Sequence, residues 1–175
     1  MNIYKPMALV LCVVFIFTLV RLHAGAFAFD TAVTRSSLRG LSGILLLVRG
    51  LNPDIEHEGL TKEQIQLDIE SKLQTAKIRL LSKEQYSKTP EAPFLHVVPA
   101  VLKVRVGTTS LYTYTVIVRL CQSVHLARNH AIETPGFTWT SEGTYGVVRA
   151  IGDIRSKIAD EVDKFISAYT SVNPK

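Results

Sequence analysis

His125, His130 and Glu133 bring two imidazoles and a carboxylate within nine residues, a set that could serve acid-base catalysis or hold a divalent cation if a hairpin folded it together. The spacing matches no catalytic or metal motif, and Arg128-Asn129 between the histidines reads as turn chemistry. Glu56-His57-Glu58 is a second group of cation-binding types. Adjacent residues on a strand or loop point apart, so a solvated loop ahead of a helix accounts for it better. Cys121 would need a base or a positive neighbour to become a nucleophilic thiolate. His125 lies four residues on, about 13 Å along an extended strand at roughly 3.3 Å per residue, and is out of reach without a bend. Ser36, Ser37, Ser42, Ser110 and Ser141 lack a Gly-x-Ser-x-Gly setting, and no Gly-x-x-x-x-Gly-Lys loop is present to cradle a phosphate. Asp160, Glu161 and Asp163 read as solvated charges on the polar side of a helix. No catalytic residue, metal site or cofactor is expected, and a non-enzyme is the favoured reading.

The elements that would position these groups follow from periodicity. Gly43 to Arg49 is a short apolar run suited to a buried strand. Thr61 and Gln64 form a capping box that opens a helix from about Lys62 to Lys77, with Ile65, Ile69, Leu73 and Ala76 on one stripe. Ile78 to Leu81 reads as a second strand, parallel to the first. Ser82 to Pro93 reads as a loop, and Phe94 to Val106 as a strand whose Pro99 marks an edge or bulge. Residues 111 to 126 alternate cleanly, with Tyr112, Tyr114, Val116, Val118 and Leu120 on one face. A strand over Thr134 to Ser141 follows, then a long helix from Thr144 or Tyr145 to Tyr169 with Val147, Ile151, Ile154, Ile158, Val162 and Phe165 as its stripe. The order βαββββα predicts an α+β two-layer sandwich, a mixed four- to five-stranded sheet with two helices on one face.

Met7 to Val20 is an apolar run of 14 residues after Lys5, too short for a membrane span of roughly 20 residues and suited to a Sec-type signal peptide. Small residues at Ala24, Ala26 and Ala28 allow cleavage after Ala26 or Ala28. The expected organisation is a signal peptide over 1–26, a lead-in over 27–38 and a single α+β domain over 39–175. The protein would be periplasmic or secreted; an uncleaved signal would anchor the domain outside the cytoplasm, its sole link to a membrane. Leu11 before Cys12 argues against lipidation. Removing residues 1–26 leaves 149 residues with 18 basic and 15 acidic side chains, a net charge of +3. That charge, with no interleaved aromatic stripe, excludes a nucleic-acid binder. Cys121 remains without an intramolecular partner, so an exported domain would rest on its core.

The strongest functional expectation is a surface. If the even residues of 112 to 126 face the helices, Arg119 and His125 face outward. Alternation against Leu102 and Val104 would add Lys103 and Arg105, with Arg49 and Arg128 near the rim. Such a basic, threonine-rimmed face could dock an envelope protein or an anionic surface.

Gly40-Leu-Ser-Gly-Ile44, Glu58-Gly-Leu-Thr61, Leu120 to Val124, Thr138-Trp-Thr140 and Val162 to Phe165 with Asn173-Pro174 carry a resemblance to a set of small uncharacterised exported bacterial proteins, over residues 39 to 174. The element order is similar to the small α/β domains of envelope assembly proteins, such as the curli-secretion lipoprotein and the amino-terminal part of the Tol-system propeller protein. That resemblance implies assembly or docking rather than catalysis. Three functions are therefore expected in order: a periplasmic accessory or adaptor domain binding an envelope protein, a small-ligand carrier with a pocket near Trp139, Tyr112 and Tyr114, and a hydrolytic enzyme built on His125, His130 and Glu133. Oligomeric state has no signature in the sequence.

Overall fold

The computed structural model describes residues 29–174. The signal peptide expected over residues 1–26 and the cleavage positions expected at Ala26 or Ala28 lie outside the described residues. The elements in chain order are α1 (Ala32–Ser36), β1 (Leu45–Val48), α2 (Pro53–His57), α3 (Lys62–Thr75), α4 (Lys83–Tyr86), β2 (Phe94–Val106), β3 (Thr109–Leu126), β4 (Asn129–Thr140), β5 (Thr144–Val148) and α5 (Gly152–Val172). They form an α+β fold, a mixed five-stranded sheet with the two long helices α3 and α5 packed on one face.

Local chemistry starts the helices where the sequence indicates. Thr61 Oγ1 accepts from the Gln64 N–H at 3.3 Å and the Gln64 side chain accepts from the Thr61 N–H, which satisfies two donors that a helix start leaves unpaired. Ile65, Ile69 and Leu73 of α3 and Ile154, Ile158, Val162 and Phe165 of α5 are buried, as their stripes predict. Lys72 pairs with Asp163 at 2.8 Å, and Arg155 Nη2 with Asp68 at 2.7 Å, joining the two helices. The expected loops each hold a short helix. Asn52 and Pro53 open α2, and a Ser82–Gln85 capping box opens α4.

β1 runs parallel to β2, and β2 is antiparallel to β3 over its whole length. β3 is central: β4 pairs with Arg119–Leu126 and β5 with Tyr112–Val116 along its other side. Pro99 sits past the last β1 bond, in which the Arg49 N–H donates to the Val97 carbonyl at 2.9 Å, so its missing donor falls on an edge.

Three expectations are corrected. Ile78–Leu81 contributes one parallel bridge, Ile44 to Leu80, and no full strand, because the chain turns away into the α4 cap at Ser82. The last helix begins at Gly152; Thr144–Val148 is a strand that fills the part of the β3 edge that β4 leaves open. The helix start has no side-chain cap, since Ile151 at that position offers no acceptor. Glu161, read as solvated, lies on the α5 stripe between Ile158 and Phe165 and is buried, with Lys164 donating to Oε1 at 2.5 Å.

The core between helices and sheet is closed by Trp139, whose ring meets Phe165 edge-on at 5.4 Å. The Trp139 indole N–H donates to Asp30 at 2.9 Å, and Asp30 also accepts two bonds from Arg35. Leu38 is buried, Gln122 Nε2 donates to the Ser37 carbonyl, and Asn173 Nδ2 donates to that of Leu38 at 2.9 Å. These contacts tie residues 30–38 into the domain.

Candidate functional site

Among the described residues, neither long helix covers the second face of the sheet. Register defines its rows: Leu47, His96, Arg119 and Thr140 lie side by side, with Leu45, Phe94, Cys121 and Phe137 in the row above. Further rows hold Val98 and Ile117, then Ala100, Thr115 and Tyr145, then Leu102, Thr113 and Val147, then Val104 beside Leu111. Only Tyr86 of α4 reaches over one corner, where it meets Phe94 edge-on at 6.4 Å.

Seven of the eleven large hydrophobic residues that are exposed among the described residues belong to this face: Leu47, Leu102, Val104, Val106, Phe137, Tyr145 and Val147. Single exposed hydrophobic residues are ordinary on a protein surface; a continuous set of them on one sheet face is not. Near the middle stands a cationic group. The Arg119 guanidinium lies 5.1 Å over the Phe137 ring, its Nε is buried without an acceptor, and it forms no ion pair among the described residues. His96 is its direct cross-strand neighbour. Burial, with the charges of Arg119 and Arg49 adding to it, pushes the His96 imidazole below its ordinary value, so it is neutral at pH 7.

The basic residues singled out by alternation separate. Arg119 and His125 lie on the open face, as expected. Lys103 and Arg105 lie on the helix side, opposite Tyr112 and Ser110, because β2 keeps its pleat from the buried Leu95, Val97 and Val101 onward without a bulge. Hydrophobicity misled here because Leu102, Val104 and Val106 fall on the side of the sheet opposite the buried Leu95, Val97 and Val101, where no core receives them. Lys103 donates to Glu58 at 2.5 Å, and the Tyr112 hydroxyl donates to the other Glu58 oxygen. Those two bonds hold the Glu58 carboxyl below the usual carboxylate value, and the bond to Glu58 raises the Tyr112 phenol. Arg128 sits in the β3–β4 turn, away from Arg119.

The acid-base set is brought together only in part: the register places His125 opposite Glu133, but His125 Nδ1 lies 2.8 Å from the backbone carbonyl of His130 and Glu133 accepts from the Ser123 hydroxyl. A hydrolytic serine needs its hydroxyl on the base rather than on the carboxylate. No three His, Cys, Asp or Glu side chains among the described residues converge as a metal site would require. Cys121 is buried, and desolvation pushes its thiol up, away from nucleophilic behaviour. Trp139, Tyr112 and Tyr114, proposed to line a ligand pocket, are buried within the core cluster. A groove of about 410 Å³ lies elsewhere, along the outer edge of β1 between Lys62, Glu70 and Lys83. Among the described residues no helix is long and apolar enough to cross a membrane.

The sequence signal for the open face was its second apolar set, Leu102, Val104 and Val106, which the alternation assigned to the core. His96 and Phe137 carried no motif. No protein-family model matches the chain, and no curated protein matches it either.

Proposed function

We propose that the protein is an exported, non-catalytic accessory domain of the bacterial envelope that binds a protein partner through the open face of its sheet. The observation that carries this reading is the concentration of exposed apolar side chains on that one face, with Arg119 unpaired among them. Burying them against a partner is favourable at about 25 cal/mol per Å² of apolar surface, and aromatic and arginine side chains are the usual anchors of such contacts. The apolar run Met7–Val20 and the small residues up to Ala28 support export, either with cleavage or as a signal anchor.

Photo-crosslinking tests the docking face. A benzophenone amino acid is placed at Val104 and at Val147 on the open face, and at Leu67, exposed on α3, as control. Irradiated in its native cells, the protein is expected to give one adduct with the same second protein from positions 104 and 147 and none from 67. Absence of adducts at the face positions, or adducts with a second copy of this chain alone, would overturn the reading.

A further inference from the structure

The centre of the open face indicates the chemistry of what binds there. An arginine in the middle of an apolar sheet face gains little on its own, since a desolvated donor without an acceptor is costly and this one has none. Arg49, the next open-face position after Leu47, brings a second unpaired cation, and both act on His96. Among the described residues neither forms an ion pair with a carboxylate, and Glu133, the one acidic strand residue on this face, lies at the far end opposite His125, bonded to Ser123. Resting on the docking face proposed above, we infer that the partner is a protein whose contact surface presents an Asp or Glu carboxylate, framed by apolar side chains, that seats on the guanidinium of Arg119, with Arg49 across His96 from it.

Charge complementarity selects this occupant. A second copy docked face to face would bring its own Arg49 and Arg119, while Glu133, the one acidic strand residue of that face, is held by Ser123 at its far end. A lipid surface wants cations at the rim of an apolar patch, where long side chains reach the headgroups; Arg119 instead lies on the inner strand β3, its guanidinium 5.1 Å over the Phe137 ring. A carboxylate held by a planar guanidinium in apolar surroundings makes a charge-assisted, geometrically fixed contact.

The experiment uses two capped five-residue probes of the full chain, Leu-Glu-Leu-Glu-Leu and Leu-Gln-Leu-Gln-Leu, with binding followed by anisotropy and by the NMR signals of the His96 ring. The glutamate probe is expected to bind at least about tenfold more tightly than the glutamine probe, the scale of one charge-assisted pair. It should also displace the His96 signals, and the difference should shrink toward about 0.5 M salt. Arg119→Gln should remove the preference, Arg119→Lys should keep part of it, and Arg49→Gln, at an exposed position, should reduce it if the Arg119 variants fold poorly. Equal binding of the two probes, binding of neither, or an Arg119-dependent preference for phosphatidylglycerol vesicles over the glutamate probe would overturn the inference. Loss of the adducts at positions 104 and 147 would remove the docking face itself, so the two failures are distinguishable.

Discussion

On the helix-covered side of the sheet Leu95, Val97, Val116, Val118 and Leu120 are fully buried, while along the same β2–β3 ladder Leu102, Val104 and Val106 on the other side keep 64, 40 and 60 per cent of their surface in water. The residue types are alike, so composition does not separate the faces; cover does. α3 and α5 supply a dry partner for one face through Ile65, Ile69, Ile158 and Phe165. Nothing in the described chain does so for the other. Apolar surface that folding leaves exposed on a continuous face is free to drive association, which is why the second face, and not the core, carries the functional reading.

The comparison can be broken most severely from the covered side. Phe165→Ala should destabilise the fold by about 3–5 kcal/mol, since it empties a fully buried site against Trp139. Denaturant unfolding measures this; a loss below about 1 kcal/mol would mean the helix layer is not the core described. A smaller effect comes from His96 on the open face. Its folded value lies below the ordinary 6.5, so between the two values the unfolded chain holds the extra proton. Stability should therefore fall as pH drops below about 6.5 and stop falling once the pH is below the folded value. His96→Gln should flatten melting temperature against pH in that window, and an unchanged slope would contradict the burial and arginine charges assigned to it. The smallest stability effect is expected from Leu102→Ser with Val147→Ser, within about 0.5 kcal/mol for each exposed position. With the benzophenone at position 104, the same double variant should lose the photo-adduct, and that separation of binding from stability is what distinguishes an interaction face from a core.

The elements legible in the sequence were those set by neighbours along the chain. The Thr61–Gln64 box, the stripe of α3, most of the α5 stripe and the alternation of β3 each rest on contacts within a few residues or on one uninterrupted period. β5 was not legible. Thr144–Val148 extends an apolar spacing that also suits a helix, and its strand state depends on an edge of β3 some 28 to 36 positions away in the chain. The candidate site was half legible: Arg119 and His125 were placed outward by β3 alone, whereas Lys103 and Arg105 were misassigned because their face depends on the pairing of β2.

What the sequence determined by itself is the α+β class and the positions of α3, β2 and β3, since these follow from caps, periods and residue types. Only the tertiary structure decided that Glu161 is buried, that Asp30 reaches Trp139, and that an apolar row and an unpaired Arg119 share one uncovered face. Alternation fixes which residues share a side of a strand, but which side receives the helices is settled by packing between distant segments, and no local period encodes it.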